Sequence, residues 1–206
     1  SYKDLYFTQR SLNNDDEIRK TYCIHALNHA LKAQNLINSN SLKLANSSEP
    51  NLADDDSFRD QGFVRPKVLI LVPFRESAFR VVEMMKELLA KKEKPRVLNY
   101  QRFVDEYTGS NLSFPKIKRK PEDYEKTFAG NTDDNFRIGI SLKRNCIKLY
   151  TAFSSTDIIL ASPLGLRMLI ETPEDNTVDF LSSIEILILD QLDVFVMQNW
   201  DHMLKI

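Results

Sequence analysis

KVLILVPFRESAFRVVEMMKELL, residues 67–89, joins an unbroken apolar run to a segment whose apolar residues recur at helical spacing. "KVLILVP" is short, rich in branched side chains and free of polar alternation, the pattern of a strand buried on both faces in the middle of a parallel sheet. Pro73 ends it, because a proline has no N–H to give the ladder. The spacing then predicts a helix from about Ser77 to Lys92, with Ala78, Val81, Val82, Met85, Leu88 and Leu89 as its buried stripe. A buried strand leading straight into an amphipathic helix is the repeating unit of a doubly wound α/β sheet.

Working outward, the same unit recurs twice. "DIILAS" reads as a second central strand, and Ser162 with Pro163 makes a strong helix start ahead of "LGLRMLIE". "EILILD" is the last strand, with a helix from about Val194 onward. "FRIGISL" and "CIKLY" are two further strand candidates in quick succession. Near the start, Ile18, Tyr22, Cys23, Ala26, Leu27, Ala30 and Leu31 recur at helical spacing, behind Asn14 or a neighbouring aspartate as cap. "YQRFVDEY" and "PEDYEKTF" are short helical segments within an elaborated connection. Residues 1–206 are thus expected to form one α/β domain: a doubly wound, mainly parallel sheet with helices on both faces. Flexible insertions are expected at about 38–65, where the text turns rich in Ser, Asn and Asp, and at about 108–120.

Charge excludes little: 28 basic and 29 acidic residues leave a net −1, so only local clustering can mark a phosphate-binding face. The longest apolar runs are strand-length, far short of the roughly 20 residues a bilayer needs, so no membrane partner is expected. The first residues carry neither a basic nor an apolar leader region. Two cysteines, Cys23 and Cys146, offer no disulfide framework and fit a reducing compartment.

In open α/β sheets ligands bind at the carboxyl ends of the strands, so "VPFRESA", "ASPLGLR" and "LDQLD" should converge on one rim. In order and spacing they resemble motifs of the first RecA-like domain of DEAD-box RNA helicases: P-T-R-E-L-A, T-P-G-R and D-E-A-D. That chemistry needs a glycine-rich loop whose amides cradle phosphates, followed by a lysine and a hydroxyl. The chain has 5 glycines and no Gly-Lys-Ser or Gly-Lys-Thr. Asp190 keeps the carboxylate that would hold metal-bound water, but Gln191 stands where the catalytic glutamate belongs, and a neutral amide cannot take a proton. A general base contributes roughly 10²–10⁴-fold in rate, so its loss together with the loop removes chemistry and binding alike. Asp190, Gln191 and Asp193 therefore read as a degenerate motif with no catalytic residue, and a structural role for the two aspartates, capping a helix or solvating an edge, is the commoner use of such positions.

Other residues are candidates for RNA or partner contact. Arg75 stands in the P-T-R-E-L-A-like motif and either reaches an RNA phosphate or pairs with a nearby carboxylate. Ser162 and Arg167 flank the helix start after "DIILA". Lys116, Lys118, Arg119 and Lys120 form a basic run that suits phosphate, an acidic protein surface or nuclear import, a solvated loop being the commoner use. His25 and His29 have metal-ligand spacing, but no third ligand is evident and neither metal nor cofactor is expected. His202 has no triad partners.

Beyond the helicase motifs, "DLYFTQR", "YCIHALNHALK", "FRDQGFVRPKVLILVPFRESAFRVV", "KPEDYEKTFAGNTDDNFRIGI", "SSTDIILASPLGLRMLI" and "DFLSSIEILILDQLDVFVMQNWDH" closely resemble one family. It is the family of the U-three small nucleolar RNA-associated protein twenty-five, also called digestive organ expansion factor. The likeness runs from Leu5 to His202, with "NSNSLKLANSS" and "YTGSNLSFPKIKRK" reading as private insertions. The resemblance implies a helicase-like nucleolar protein of the nucleus that lacks the ATPase motifs. It implies a place in the small-subunit processome, among processome proteins, U-three small nucleolar RNA and pre-ribosomal RNA. It also implies a longer parent chain, with an acidic N-terminal region and a second RecA-like domain, of which this chain is a fragment.

Overall fold

The computed structural model describes residues 3–46, 65–90, 95–109, 120–143, 145–172 and 177–206. In chain order the elements are α1 (Asp15–Asn46), β1 (Val68–Leu71), α2 (Arg75–Leu89), β2 (Arg96–Leu98), α3 (Tyr100–Tyr107), α4 (Glu122–Thr127), β3 (Arg137–Lys143), β4 (Cys146–Leu149), β5 (Ile158–Ala161), α5 (Pro163–Glu171), β6 (Ile186–Leu189), α6 (Leu192–Met197) and α7 (Trp200–Leu204). Short 3-10 turns lie at Phe153–Ser155 and Thr177–Ser183.

The six strands form one sheet in the order β2-β4-β3-β5-β1-β6. β1 lies parallel between β5 and β6, with Val68 opposite Ile158 on one side and Ile186 on the other. Its continuous apolar run is explained by this position, since every residue of β1 and β5 is buried. Alternate side chains serve two cores. Val68, Ile70, Ile158 and Leu160 pack with Cys23, Leu27, Val81, Val82, Met85 and Phe103, so α1, α2 and α3 cover one face. Leu69, Leu71, Ile159 and Ala161 pack with Leu166, Phe180 and Phe195, placing α5 and α6 on the other. Each fully buried valine or methionine of α2 contributes roughly 1.5–3 kcal/mol relative to exposure, which is why the stripe read from the sequence becomes the helix's inner face.

The sheet is mainly parallel, as expected, but mixed: β3 runs antiparallel to both β4 and β5, while the other three pairings are parallel. The cause is local. β3 ends at Lys143 and β4 begins at Cys146, with Asn145 in the left-handed region, so the connection is a hairpin too short for any crossover. After β4 the chain turns through Tyr150, also left-handed, and residues 151–156 pass against Gly139 of β3. A methyl at Gly139 would meet the Thr151 carbonyl and, at 3.1 Å, the Thr156 hydroxyl.

Two other differences have physical causes. α1 continues to Asn46, past the point near Asn38 where a loop was expected, because extending a nucleated helix is cheap and Asn40 lies buried at its far end. The remainder of that expected insertion, residues 47–64, lies outside the described residues, as do residues 110–119 of the second. β2 was not anticipated: three residues pair only with β4, too few for a periodic signal. Among the described residues no helix is long and apolar enough to cross a membrane.

Candidate functional site: the rim at the strand ends

The parallel register of β1, β5 and β6 carries their carboxyl ends to one rim, as the three motifs required. At the tip of β6 Asp190 is 5% exposed, and both of its carboxylate oxygens are engaged. One accepts from the Arg10 guanidinium and the other from the Tyr22 hydroxyl at 2.8 Å. Arg10 also donates to Asp15, which pairs with Arg19 at 2.8 Å, and Arg19 in turn reaches Asp16 at 2.6 Å. The N-terminal segment before α1 is folded into place by Asn14, whose side chain bonds back to Gln9 and Ser11 rather than capping the helix, and by Lys126 of α4 donating to the Leu12 carbonyl at 2.9 Å.

The electrostatics match this closed cluster. Burial alone would lower the Arg10 pKa, but Asp190 and Asp15 together push it above its ordinary value. Burial, reinforced by Asp190, holds the Tyr22 hydroxyl well above its usual range, so it remains a donor. Burial would raise the Asp15 carboxyl, yet Arg19 and then Arg10 hold it below the usual carboxylate range. A carboxyl depressed in the folded state contributes stability that is complete above its unfolded pKa of about 4 and is lost as pH falls through its folded value. Urea unfolding between pH 7 and pH 3 should therefore show a loss below about pH 4 that shrinks in Arg19→Leu.

Gln191 adopts the left-handed backbone that turns the chain from β6 into α6, with φ 60°. Its side-chain oxygen accepts from Ser77 of α2 at 2.6 Å, tying two rim motifs together. Asp193 is exposed in the first turn of α6, where a carboxylate complements the helix N-terminus. Ser162 is completely buried and caps α5, its hydroxyl accepting from Gly165 N at 2.9 Å and donating to the Asp134 carbonyl. Its side chain offers nothing to an external phosphate. Gly165 lies against β3's lead-in: a methyl there would run into the Phe136 backbone, including its carbonyl carbon at 2.7 Å. Gly165→Ala is expected to destabilise by about 1–3 kcal/mol through overpacking, read from the denaturant midpoint.

Arg75 donates to Asp133 and to the Asn135 carbonyl, both at 2.8 Å, and lies over the Tyr107 ring at 5.2 Å. Phe74, at the threonine position of the P-T-R-E-L-A-like motif, is 4% exposed and packs on Phe128 with ring centroids 5.5 Å apart. Arg167 bridges Glu171 and His202, each at 2.8 Å. Lys120 lies 5.5 Å from the Tyr124 ring, while Lys116, Lys118 and Arg119 lie outside the described residues. His29 bonds Glu185 at 2.6 Å and His25 is exposed; among the described residues no three His, Cys, Asp or Glu side chains converge as a metal site.

Arg75 opens on a groove of about 400 Å³ that also presents Arg102, Arg137, Tyr107, Tyr150 and Phe153. Arg102 stacks over Tyr150 at 4.0 Å, and Arg137 is exposed. Glu106 lines the groove too, accepting from Arg102 and from the Tyr150 hydroxyl, both at 2.7 Å, so a single-stranded nucleic acid stacking on these aromatic faces would have to share Arg102 with a carboxylate. Sequence reasoning missed this groove's Arg102, Arg137 and Tyr150, and it missed Arg10 and Tyr22, which lie 180 and 168 residues from Asp190. No spacing rule reaches that far; the one available signal was that both stand in runs carrying the family likeness.

Residues 2–206 match the model of a family described as UTP25, NTP hydrolase-like domain. The chain is 47% identical over its whole length to "U3 small nucleolar RNA-associated protein 25 homolog" of Rattus norvegicus and likewise of Homo sapiens, covering 28% of each. It is 44% identical over 98% of its length to "U3 small nucleolar RNA-associated protein 25" of Botryotinia fuckeliana, covering 27% of that protein. The chain thus spans little more than a quarter of the curated relatives it matches. No solved structure matches it.

Proposed function

Because this chain belongs to the UTP25 NTP hydrolase-like family, we propose that it is a RecA-like, non-catalytic scaffold element of the small-subunit processome. In this reading it supports pre-ribosomal RNA processing in the nucleolus through contacts with RNA and processome proteins. The relatives' names supply the association with U3 small nucleolar RNA. The observation that carries the non-catalytic part is the state of Asp190. In a nucleotide hydrolase this carboxylate must face metal-bound water, whereas here Arg10 and Tyr22 take both oxygens from within the chain. A metal ion competing for them would have to displace the part-buried Arg10 guanidinium, which would also draw it away from the buried Asp15. Gln191, spent on Ser77, can supply no base.

The test is calorimetry with ATP and magnesium, for which no saturable heat is expected at micromolar concentrations; a saturable isotherm would favour an ATP-dependent RNA helicase. RNA contact is tested separately by mobility shift of pre-ribosomal RNA at several salt concentrations. Binding should weaken as salt rises and weaken further in Arg102→Ala/Arg137→Ala, since each lost phosphate contact lowers the salt slope by about 1. Absence of binding at every salt concentration would favour a module that contacts protein alone.

A further inference from the structure

Inside the groove that holds Arg75, Arg102 and Arg137, the edge of β3 is open over a single residue. Asp157 N donates to Ile140 O and Ser162 N to Phe136 O, so the backbone groups of the even-numbered residues here face β5. By alternation those of Arg137 and Gly139 face the β4 side. The β4 ladder stops where Ile140 lies opposite Leu149, and Tyr150 turns the chain away in a left-handed conformation. Thr151 N then donates to Gly139 O at 3.1 Å. On the other flank the Asn135 carbonyl accepts from Arg75 at 2.8 Å and its amide donates to the Asp133 carboxylate at 2.9 Å. Between these two, no described residue bonds the N–H or the C=O of Arg137.

The size of this gap and the walls around it select the ligand. An added polypeptide strand needs a run of successive pairs, and only one is open here. A nucleobase needs just one, because its Watson–Crick edge sets a donor beside an acceptor, the complement of an N–H and C=O on one residue. Tyr150 and Phe153, both partly exposed, line the same groove and suit a flat ring. The charges bear on the phosphate. Arg75 is paired with Asp133 and Arg102 with Glu106, whereas the Arg137 side chain has no carboxylate partner among the described residues. Burial would raise the Glu106 carboxyl, but hydrogen bonds from Arg102 and Tyr150 hold it below the usual range, so it stays charged and repels phosphate beside Arg102. A phosphate is left with Arg137.

Building on the RNA contact of the scaffold reading, we infer that the groove takes one unpaired nucleotide, its base bonded through the Watson–Crick edge to the Arg137 backbone and its phosphate held by the Arg137 guanidinium. Duplex RNA is excluded from the groove, since its Watson–Crick edges are already paired. Sequence is read only weakly, since every base carries an adjacent donor and acceptor.

The experiment compares oligouridylate with the same strand built from N3-methyluridine, by fluorescence anisotropy on the full-length protein at several salt concentrations. Methylation removes the only Watson–Crick donor of the base and keeps every phosphate and ring face. The methylated strand is expected to bind about tenfold more weakly, the loss of two neutral hydrogen bonds, with an unchanged salt slope. Arg137→Ala should lower the salt slope by about 1 and still discriminate between the strands. Arg137→Pro removes the open N–H without breaking a ladder bond, and should reduce the discrimination to about threefold. Equal binding of the two strands by the unmutated protein would overturn the inference while leaving RNA contact through phosphate in place. Discrimination that Arg137→Pro leaves at full strength would overturn it too, placing the base elsewhere. No binding of either strand at any salt concentration would remove the RNA contact and the inference together, and leave the open edge to a polypeptide.

Discussion

Arg10→Ala is expected to destabilise the protein by about 2–3 kcal/mol and to free the N-terminal segment for proteolysis at residues 3–14. Arg10 alone among the described residues joins Asp15 to Asp190, and both carboxylates are at least nine-tenths buried. Removing one partner of a buried pair typically costs about 3–5 kcal/mol, and the figure here is reduced because the Arg10 side chain is 24% exposed while Tyr22 and Arg19 remain on the two aspartates. Arg10→Lys should fall between, because an ammonium lacks the planar fork that can serve two carboxylates at once. Urea midpoints and digestion time courses of the three proteins measure the effect, and equal midpoints would remove the cluster's structural role. Arg10→Ala should still give no saturable heat with ATP and magnesium. A gain of nucleotide binding in that variant would make Arg10 a plug over a latent site.

Asp157→Ala should have the larger effect on stability, about 3–5 kcal/mol, or on the order of 10 °C in Tm for a chain of this size. Its carboxylate is 4% exposed and accepts from Arg65 Nε at 2.7 Å, Gln34 at 2.8 Å and the Leu142 amide at 2.6 Å. It therefore joins α1, the lead-in to β1 and β3 at the entrance of β5. Alanine leaves the buried Leu142 amide without its acceptor and the half-buried Arg65 guanidinium with only the Ser141 hydroxyl, each loss adding to the other. Asp157→Asn retains one oxygen for Leu142 and should lose less than half as much; thermal unfolding of the two variants checks the order.

How much of this was legible depended on how far apart the partners are in sequence. Val68–Leu71 and Ile158–Ala161 revealed themselves as central strands because burial on both faces leaves no room for a polar residue. α3 at Tyr100–Tyr107 and α4 at Glu122–Thr127 fell within the segments read as helical. The reversal of β3 was hidden, although three strands in quick succession without a helix already left too little chain for parallel crossovers. At the rim, the absent phosphate loop and the amide at Gln191 were readable from residue types alone. The partners of Asp190 were not, because nothing in "DLYFTQR" or "YCIHALNHALK" says which carboxylate an arginine or a tyrosine will meet.

By itself the sequence determined the α/β layering, the family and the amide at Gln191, since each follows from local periodicity or from which functional group a position carries. Only the tertiary structure decided that Arg10 and Tyr22 close over Asp190, that Arg75 shares a groove with Arg102 and Arg137, and that β3 runs against its neighbours. Those are contacts between segments brought together by burying the sheet's two faces, and their geometry is set by the packing of the whole chain rather than by any stretch of it.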